Sequence, residues 1–214
     1  MKKIFLSIET SLNRIYLVLY SKTKLFSEEK KIESSIEVEI NKMLEDLFLK
    51  SNINYADLDF VAVSLGPGSY TGTRVGLATA KAISLSLDKP LLGYSNFKTT
   101  YNQGLINNYY NTNEKVGVIL RANKYEIYYQ CIDHRKVENA LVIKKEVLQD
   151  HNKLSNILIG NIEEKFNFNN YSFCFPKQEA VLKTIKNLNT NFNKLVDQEL
   201  EPLYIKGHYA EKTN

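Results

Sequence analysis

The sequence has few of the residues from which metal centres and covalent catalytic sites are built. Its 214 residues include two cysteines and three histidines. Cys131 and Cys174 lie far apart without CxxC spacing, which favours reduced, buried thiols in the cytosol over a disulfide framework or a zinc site. His134, His151 and His208 are also scattered, with no HExxH pattern, so no metal centre is predicted.

Long hydrophobic runs and a strong net charge are missing as well. Glu9 and Arg14 interrupt the first apolar stretch well before it reaches transmembrane length, and no small-residue cleavage site follows. We therefore expect a first β-strand there and no membrane association. The formal charge is only +4, with lysines and glutamates interleaved, which gives no positive case for direct nucleic-acid binding.

Hydrophobic periodicity predicts an α/β protein of two lobes, each a mixed β-sheet flanked by helices. Residues 1–104 follow the order β-β-β-α-β-α-β, with an amphipathic helix at 34–49 and a helix of small residues at 71–87. A polar stretch at 107–114 marks the predicted boundary. Residues 105–214 are expected to form a smaller, more diverged lobe with a duplicated architecture, whose last residues return to the first lobe.

The most informative stretch is FVAVSLGPGSYTGTRVGLATAKA, residues 60–82. A strand, a glycine-rich turn and a helix can bring backbone amides close to a phosphate. The stretch lacks the Gly-Lys-Ser/Thr ending of a Walker A loop and the GxGxxG spacing of a dinucleotide fingerprint. Two interpretations stay open for Gly66, Gly68 and Ser69: phosphate binding, or turn geometry that allows close helix packing.

The end of the first strand offers a second candidate site. Glu9, Thr10 and Ser11 supply a carboxylate and two hydroxyls, which can position a hydrated Mg²⁺ or simply cap the backbone amides of an ordinary turn. The helix at 71–87 is also open to two interpretations. Its small residues suit either a surface for another subunit or the central helix of its own lobe.

Several of these segments together resemble one protein family. IETS at residues 8–11 and LGPGSYTGTRVGLATAKAISLSLDKPLLGYSNF at 65–97 are similar to the signature of the TsaB (YeaZ) family, with weaker echoes in RANKYEIYY, IGN and EPLYIK. That family belongs with the actin-like, sugar kinase and Hsp70-type proteins. The resemblance therefore implies a two-lobe actin-like (ASKHA, ribonuclease H-like) fold.

The resemblance implies a non-catalytic subunit of the machinery that makes threonylcarbamoyladenosine in ANN-decoding tRNAs. Such a subunit binds and stabilises a TsaD-like catalytic paralogue, supports docking of a TsaE-like ATPase and meets tRNA only through the complex. It is cytoplasmic and forms a homodimer when alone. The isolated chain is expected to require no cofactor, while ATP or ADP with Mg²⁺ at the partner interface is compatible with the family.

The family's subunit contact falls, by matched position, on the two helices of the first lobe. The implied contact residues are Ile36, Ile40, Met43, Leu44 and Leu47 on the first helix, and Thr73, Gly76, Leu77, Ala80 and Lys81 on the second. Gly76→Arg or Ala80→Glu is then expected to abolish pairing while the monomer stays folded.

Two departures from the family pattern fall in the second lobe. Arg121 stands where the family often has Asp, and Asn123 where it often has Arg, which weakens the case for a nucleotide contact there. Two enzymatic alternatives remain. One is an autonomous nucleotide-dependent phosphotransferase of the same fold, and the other is an M22-type peptidase, for which Ser69 shows no GxSxG setting.

Overall fold

The computed structural model describes residues 3–22, 24–33, 35–133, 136–146, 155–163, 170–188 and 199–205. The chain forms two compact units. The first consists of Met1–Asn96 with Val181–Leu203, and the second of Phe97–Ala180 with Tyr204–Asn214. The first division thus comes before the predicted boundary at residue 104, and a helix assigned by sequence to the first lobe falls in the second unit.

The first unit is built on a mixed five-stranded sheet. Its strands are β1 (Phe5–Glu9), β2 (Arg14–Ser21), β3 (Lys24–Lys31), β4 (Phe60–Ser64) and β5 (Leu91–Tyr94), in the spatial order β3-β2-β1-β4-β5. β1 pairs antiparallel with β2 and parallel with β4, and β5 continues the parallel side. β2 thus returns antiparallel beside β1, and β3 forms one edge of the sheet.

Two helices cover one face of this sheet. They are α1 (Ile36–Ser51) and α2 (Tyr70–Leu87), and a short 3₁₀ turn at Tyr55–Asp57 leads from α1 towards β4. Apolar residues of α1 recur at helical spacing and pack on the strands together with residues of α2. Ser35 is the N-terminal cap of α1, but its side chain makes no capping hydrogen bond. The sequence offers Ser34 as well as Ser35 as a cap of this helix, and Ser34 lies outside the described residues.

The second unit repeats the same sheet topology. It contains α3 (Asn96–Ile106), of which Asn96 itself ends the first unit, and the strands β6 (Val116–Arg121), β7 (Glu126–Ile132), β8 (Leu141–Lys144), β9 (Ile157–Gly160) and β10 (Tyr171–Phe173). Their order is β10-β9-β6-β7-β8, with β6 antiparallel to β7 and parallel to β9. Read from β8 to β10, this strand order corresponds to that of the first sheet from β3 to β5. The predicted duplicated architecture is therefore confirmed.

The last described helix returns to the first unit. Val181 and Ile185 of α4 (Gln178–Leu188) are buried against the face of the first sheet that α1 and α2 leave open. Further along, the backbone N–H of Leu203 donates to the carbonyl of Leu65 over 2.7 Å. Both contacts lie within the first unit.

Both cysteines are free and buried. Burial raises the pKa of the Cys174 thiol to about 12 and also raises the pKa of Cys131, so both thiols are protonated at neutral pH. Free, buried thiols are what the sequence analysis expects, and no disulfide joins them. Among the described residues, no helix has the length and apolar character that a membrane crossing needs.

Candidate functional site

The turn after β1 is organised around the carboxylate of Glu9. Its Oε1 atom accepts hydrogen bonds from the Ser11 N–H (2.6 Å), the Ser11 hydroxyl (2.9 Å) and the Leu12 N–H (2.9 Å). Its Oε2 atom lies 3.3 Å from Nε of Arg14, and only 4% of each of these two side chains is exposed. The carboxylate therefore caps its own turn, and both of its oxygens already have donors.

Arg14 is a buried cation that links this turn to β3. Its Nη1 atom lies 2.7 Å from Oε1 of Glu29 on β3, and its guanidinium lies 4.1 Å from the centre of the Tyr16 ring. Opposite charges and the aromatic ring replace the water that this buried cation has lost. Arg14 was considered in the sequence only as an interruption of an apolar run, so its pairing with Glu9 was not predicted.

The glycine-rich loop before α2 rests directly on the same turn. A Cβ atom on Gly68 would overlap the carbonyl oxygen of Ser11, and one on Gly72 would overlap the carbonyl oxygen of Thr10. A Cβ atom on Gly76, one turn further along the helix, would overlap the Thr10 hydroxyl. These glycines are needed for close backbone approach, which is the packing interpretation of the motif.

Three backbone donors of the loop and the first turn of α2 have partners within the protein. Gly66, whose φ of +90° favours glycine, donates its N–H to the Ser64 hydroxyl over 3.1 Å. Ser69 donates its N–H to the Ser11 carbonyl over 2.8 Å, and its own hydroxyl caps α2 by accepting the Gly72 N–H over 3.2 Å. An anion site at a helix N-terminus needs such amides to face the ligand, whereas these amides face the protein.

The structure thus brings the six predicted nucleotide contacts together, but it engages them with one another and with α2. The Thr10 hydroxyl, for example, donates to the Gly72 carbonyl over 2.6 Å. In this arrangement the Glu9 carboxylate oxygens, the hydroxyls and several loop amides make hydrogen bonds within the protein, which favours the capping and packing interpretations over a nucleotide phosphate or a hydrated Mg²⁺. The six residues are Glu9, Thr10, Ser11, Gly66, Gly68 and Ser69.

Asn96, which the sequence analysis did not single out, lies at the centre of this arrangement and is fully buried. Its Nδ2 atom donates to the Ser11 hydroxyl over 2.7 Å and to the Pro67 carbonyl over 3.0 Å. Its Oδ1 atom accepts from the Ser64 hydroxyl over 2.7 Å. The sequence signal available for Asn96 was a polar residue between an apolar strand and an apolar helix position. This signal could not identify its hydrogen-bond partners, which are distant in sequence.

The structure corrects the choice of contact residues on the two helices. The five predicted on α1 (Ile36, Ile40, Met43, Leu44 and Leu47) and four of those on α2 (Thr73, Gly76, Leu77 and Ala80) are buried within the first unit itself. Only Lys81 is exposed. Their helical spacing reflects packing within the first unit, so these nine residues offer little exposed surface for a partner to contact.

The opposite side of α2 presents a different set of residues to solvent. Five residues of α2 are spaced four, four, three and four positions apart and therefore lie on one helix face. All five are exposed: Tyr70, Arg74, Ala78, Lys81 and Leu85. We call these five residues the α2 stripe. Its middle is small, while Leu85 is 85% and Tyr70 56% exposed at its two ends.

The two departures in the second unit have local structural roles. The Oδ1 atom of Asn123 accepts the N–H groups of Tyr125 (2.8 Å) and Glu126 (2.9 Å), which closes the turn between β6 and β7. The N–H of Arg121 donates to Oδ1 of Asn161 over 2.9 Å, so the backbone at this position is tied to the residue after β9.

Metal and hydrolytic sites find little support in the part of the chain that the structure describes. Within it, no group of three or more His, Cys, Asp or Glu residues is placed to hold a metal ion. His134, His151 and His208 lie outside the described residues. Ser69, the nucleophile that a peptidase would need, uses its hydroxyl as the cap of α2.

Comparison with known proteins places these features in one family. A family model described as "TsaD: tRNA N6-adenosine threonylcarbamoyltransferase" matches residues 32–205. The TsaB protein of Buchnera aphidicola subsp. Baizongia pistaciae is 26% identical over 96% of this chain and 99% of its own length. That of the Schizaphis graminum subspecies is 33% identical over 44% of this chain and 45% of its own.

A solved structure extends the similarity to the fold. YeaZ from Pseudomonas aeruginosa matches 95% of this chain and 100% of its own with a TM-score of 0.75, at 16% identity. With its two mixed five-stranded sheets and their helices, this chain is an α/β protein with the fold of that YeaZ structure. The chain belongs to the matched tRNA N6-adenosine threonylcarbamoyltransferase family, and within it to the TsaB (YeaZ) proteins.

Proposed function

We propose that this chain is a non-catalytic scaffold subunit of the complex that makes threonylcarbamoyladenosine in tRNA. In this role it binds and stabilises a TsaD-like catalytic paralogue, supports docking of a TsaE-like ATPase, and meets tRNA through the complex. The near full-length relatives are named for this biosynthesis. The observation that carries the scaffold role is the α2 stripe, an exposed helix face suited to close contact with another helix.

The composition of the α2 stripe supports protein contact. Two helices approach closely where the side chains between them are small, and Ala78 provides such a point in the middle. Tyrosine, arginine and leucine around it supply apolar area and hydrogen-bonding groups, and Tyr and Arg are enriched at protein interfaces. Arg74 already stacks 4.0 Å from the centre of the Tyr70 ring, which orders both long side chains before a partner arrives.

The neighbouring helix adds apolar surface. On α1, Val38 and Leu49 are 70% and 74% exposed and lie eleven residues apart, which places them on the same side of the helix. Large exposed apolar side chains on two adjacent helices are typical of an interaction surface. The same surface would allow the chain to form a homodimer when the catalytic paralogue is absent.

Surface variants on α2 test this proposal. Ala78→Arg places a long charged side chain at the small middle of the stripe, and Leu85→Glu removes apolar area at its end. We expect each to weaken co-purification with a TsaD-like partner by about tenfold or more, since truncating or blocking a central contact costs over about 1.4 kcal/mol. Thermal unfolding of the variants is expected to match the unmodified chain, because both positions are exposed.

The matched control is Ala56→Arg, the same substitution at an exposed alanine of the same unit outside α1 and α2. It is expected to leave partner binding unchanged. If Ala78→Arg and Leu85→Glu bind the partner as well as Ala56→Arg does, the α2 stripe is not the contact surface.

A further inference from the structure

The glycine loop and the turn after β1 are joined by a directed chain of hydrogen bonds. Gly66 N–H donates to the Ser64 hydroxyl, which donates to Oδ1 of Asn96; Nδ2 of Asn96 donates to the Ser11 hydroxyl, which donates to the Glu9 carboxylate. The four distances are 3.1, 2.7, 2.7 and 2.9 Å. The chain starts at a group that can only donate and ends at one that accepts, so its direction is fixed.

Asn96 holds the loop through two further hydrogen bonds. Its second Nδ2 hydrogen reaches the Pro67 carbonyl (3.0 Å), and its backbone N–H reaches the Gly66 carbonyl (2.8 Å). Both side-chain N–H groups of Asn96 thus have acceptors, and its carbonyl oxygen has a donor. In a fully buried position, such a satisfied set of bonds specifies one arrangement, because each missing partner would leave a buried polar group unpaired.

We propose that Asn96 is a positioning residue that locks the glycine loop onto the turn after β1 and so fixes the start of α2 without a bound nucleotide. The Asn96 side-chain amide bonds to both the turn and the loop. The two segments are therefore connected without an outside ligand between them. The α2 stripe begins at Tyr70, three residues after Pro67, so its first residues follow directly from the locked segment. This inference concerns the isolated chain and does not rest on the proposed function.

The isosteric variant Asn96→Asp tests the lock most directly. A carboxylate keeps the size of the side chain but cannot donate, so the contacts with Ser11 and Pro67 lose their hydrogen bonds. Hydrogen exchange of the amides of residues 66–73 in the isolated chain is the measurement. We expect exchange there to rise about tenfold or more, because local opening becomes easier when buried bonds are removed.

The control is Asn102→Asp, the same change at a buried asparagine of α3 in the second unit. It is expected to leave exchange of residues 66–73 unchanged even where it lowers the melting temperature. If Asn96→Asp fails to fold, Ser64→Ala becomes the decisive variant, because it removes one hydrogen-bonding group of the chain. We expect it to raise the exchange of residues 66–73 in the same way. Equal exchange of residues 66–73 in the decisive variant and the control would overturn the proposal.

Millimolar ATP with Mg²⁺ provides a second arm on the unmodified chain. A loop that is already locked is expected to show the same exchange of residues 66–73 with and without ATP and Mg²⁺. Protection of these amides by ATP would mean that the loop needs an outside ligand to close, and it would contradict the lock. Neither the variant experiment nor the ATP experiment uses a partner protein. Both results can therefore be interpreted even if the proposed scaffold function is disproved.

Discussion

At the scale of single residues, Glu9 illustrates how one side chain can suit two very different sites. A carboxylate at the end of a first strand, beside two hydroxyls, is equally suited to holding Mg²⁺ and to capping a turn. The structure gives it three hydrogen bonds within the turn and an ion pair with Arg14. Glu9 therefore contributes to stability through a partner that lies five residues away on the next strand.

Replacing Glu9 tests this role. Glu9→Gln leaves the buried Arg14 guanidinium with Glu29 alone, and we expect the free energy of unfolding to fall by about 3 kcal/mol. Chemical denaturation measures the loss. The control is Glu29→Gln, whose side chain is 51% exposed and whose loss should cost less than about 1 kcal/mol. A Glu9→Gln chain as stable as the Glu29→Gln chain would contradict the structural role of the carboxylate.

The residue types of this site were predictable, but their partners were not. Glycines after a strand indicate a tight turn and close packing, and an acidic residue in a turn indicates capping or ligand binding. Which carbonyl Gly72 approaches, or that Asn96 reaches Ser11 across 85 positions, depends on strand pairing that no local pattern specifies. These contacts join segments that only the folded sheet brings together.

At the scale of elements, α1 and α2 show what periodicity can and cannot decide. The spacing of apolar residues predicted α1 and its buried face, while the small residues after the glycine-rich turn predicted α2. The same spacing does not say whether that face packs on its own sheet or on another subunit, because both environments are apolar. The structure assigns it to the sheet, and this leaves the exposed side of α2 for a partner.

Two variants of α2 separate its two sides. Gly76→Arg, first expected to block pairing in a folded monomer, places a side chain against Thr10 and Ile8. We now expect it to destabilise the first unit by more than about 3 kcal/mol, as severe overpacking of a core does. Ala78→Arg, two residues away on the exposed side, should leave the melting temperature within a few degrees of the unmodified chain.

Thermal unfolding followed by circular dichroism compares the two variants directly. Equal melting temperatures for Gly76→Arg and Ala78→Arg would mean that Gly76 is not packed on the turn after β1. The α2 residues that the family resemblance implies as contacts would then again be candidates for the partner interface, because Gly76 is one of them.

At the scale of the whole molecule, the fold was more predictable than the site. Strand and helix patterns, together with the resemblance to the TsaB family, predicted two mixed sheets with flanking helices, and the two sheets share one strand order. The limits of the units were harder to predict. The polar stretch after α3 looked like the boundary, yet α3 falls in the second unit and residues of α4 in the first.

The central claim is that the chain supports threonylcarbamoyladenosine synthesis by binding a catalytic partner through the α2 stripe. Its most direct test depletes the protein in its native cells and quantifies threonylcarbamoyladenosine in purified tRNA by mass spectrometry. The account predicts a marked loss of the modified nucleoside, restored by the unmodified chain and by Ala56→Arg but not by Ala78→Arg. An unchanged level after depletion would contradict the function, and full restoration by Ala78→Arg would contradict the surface.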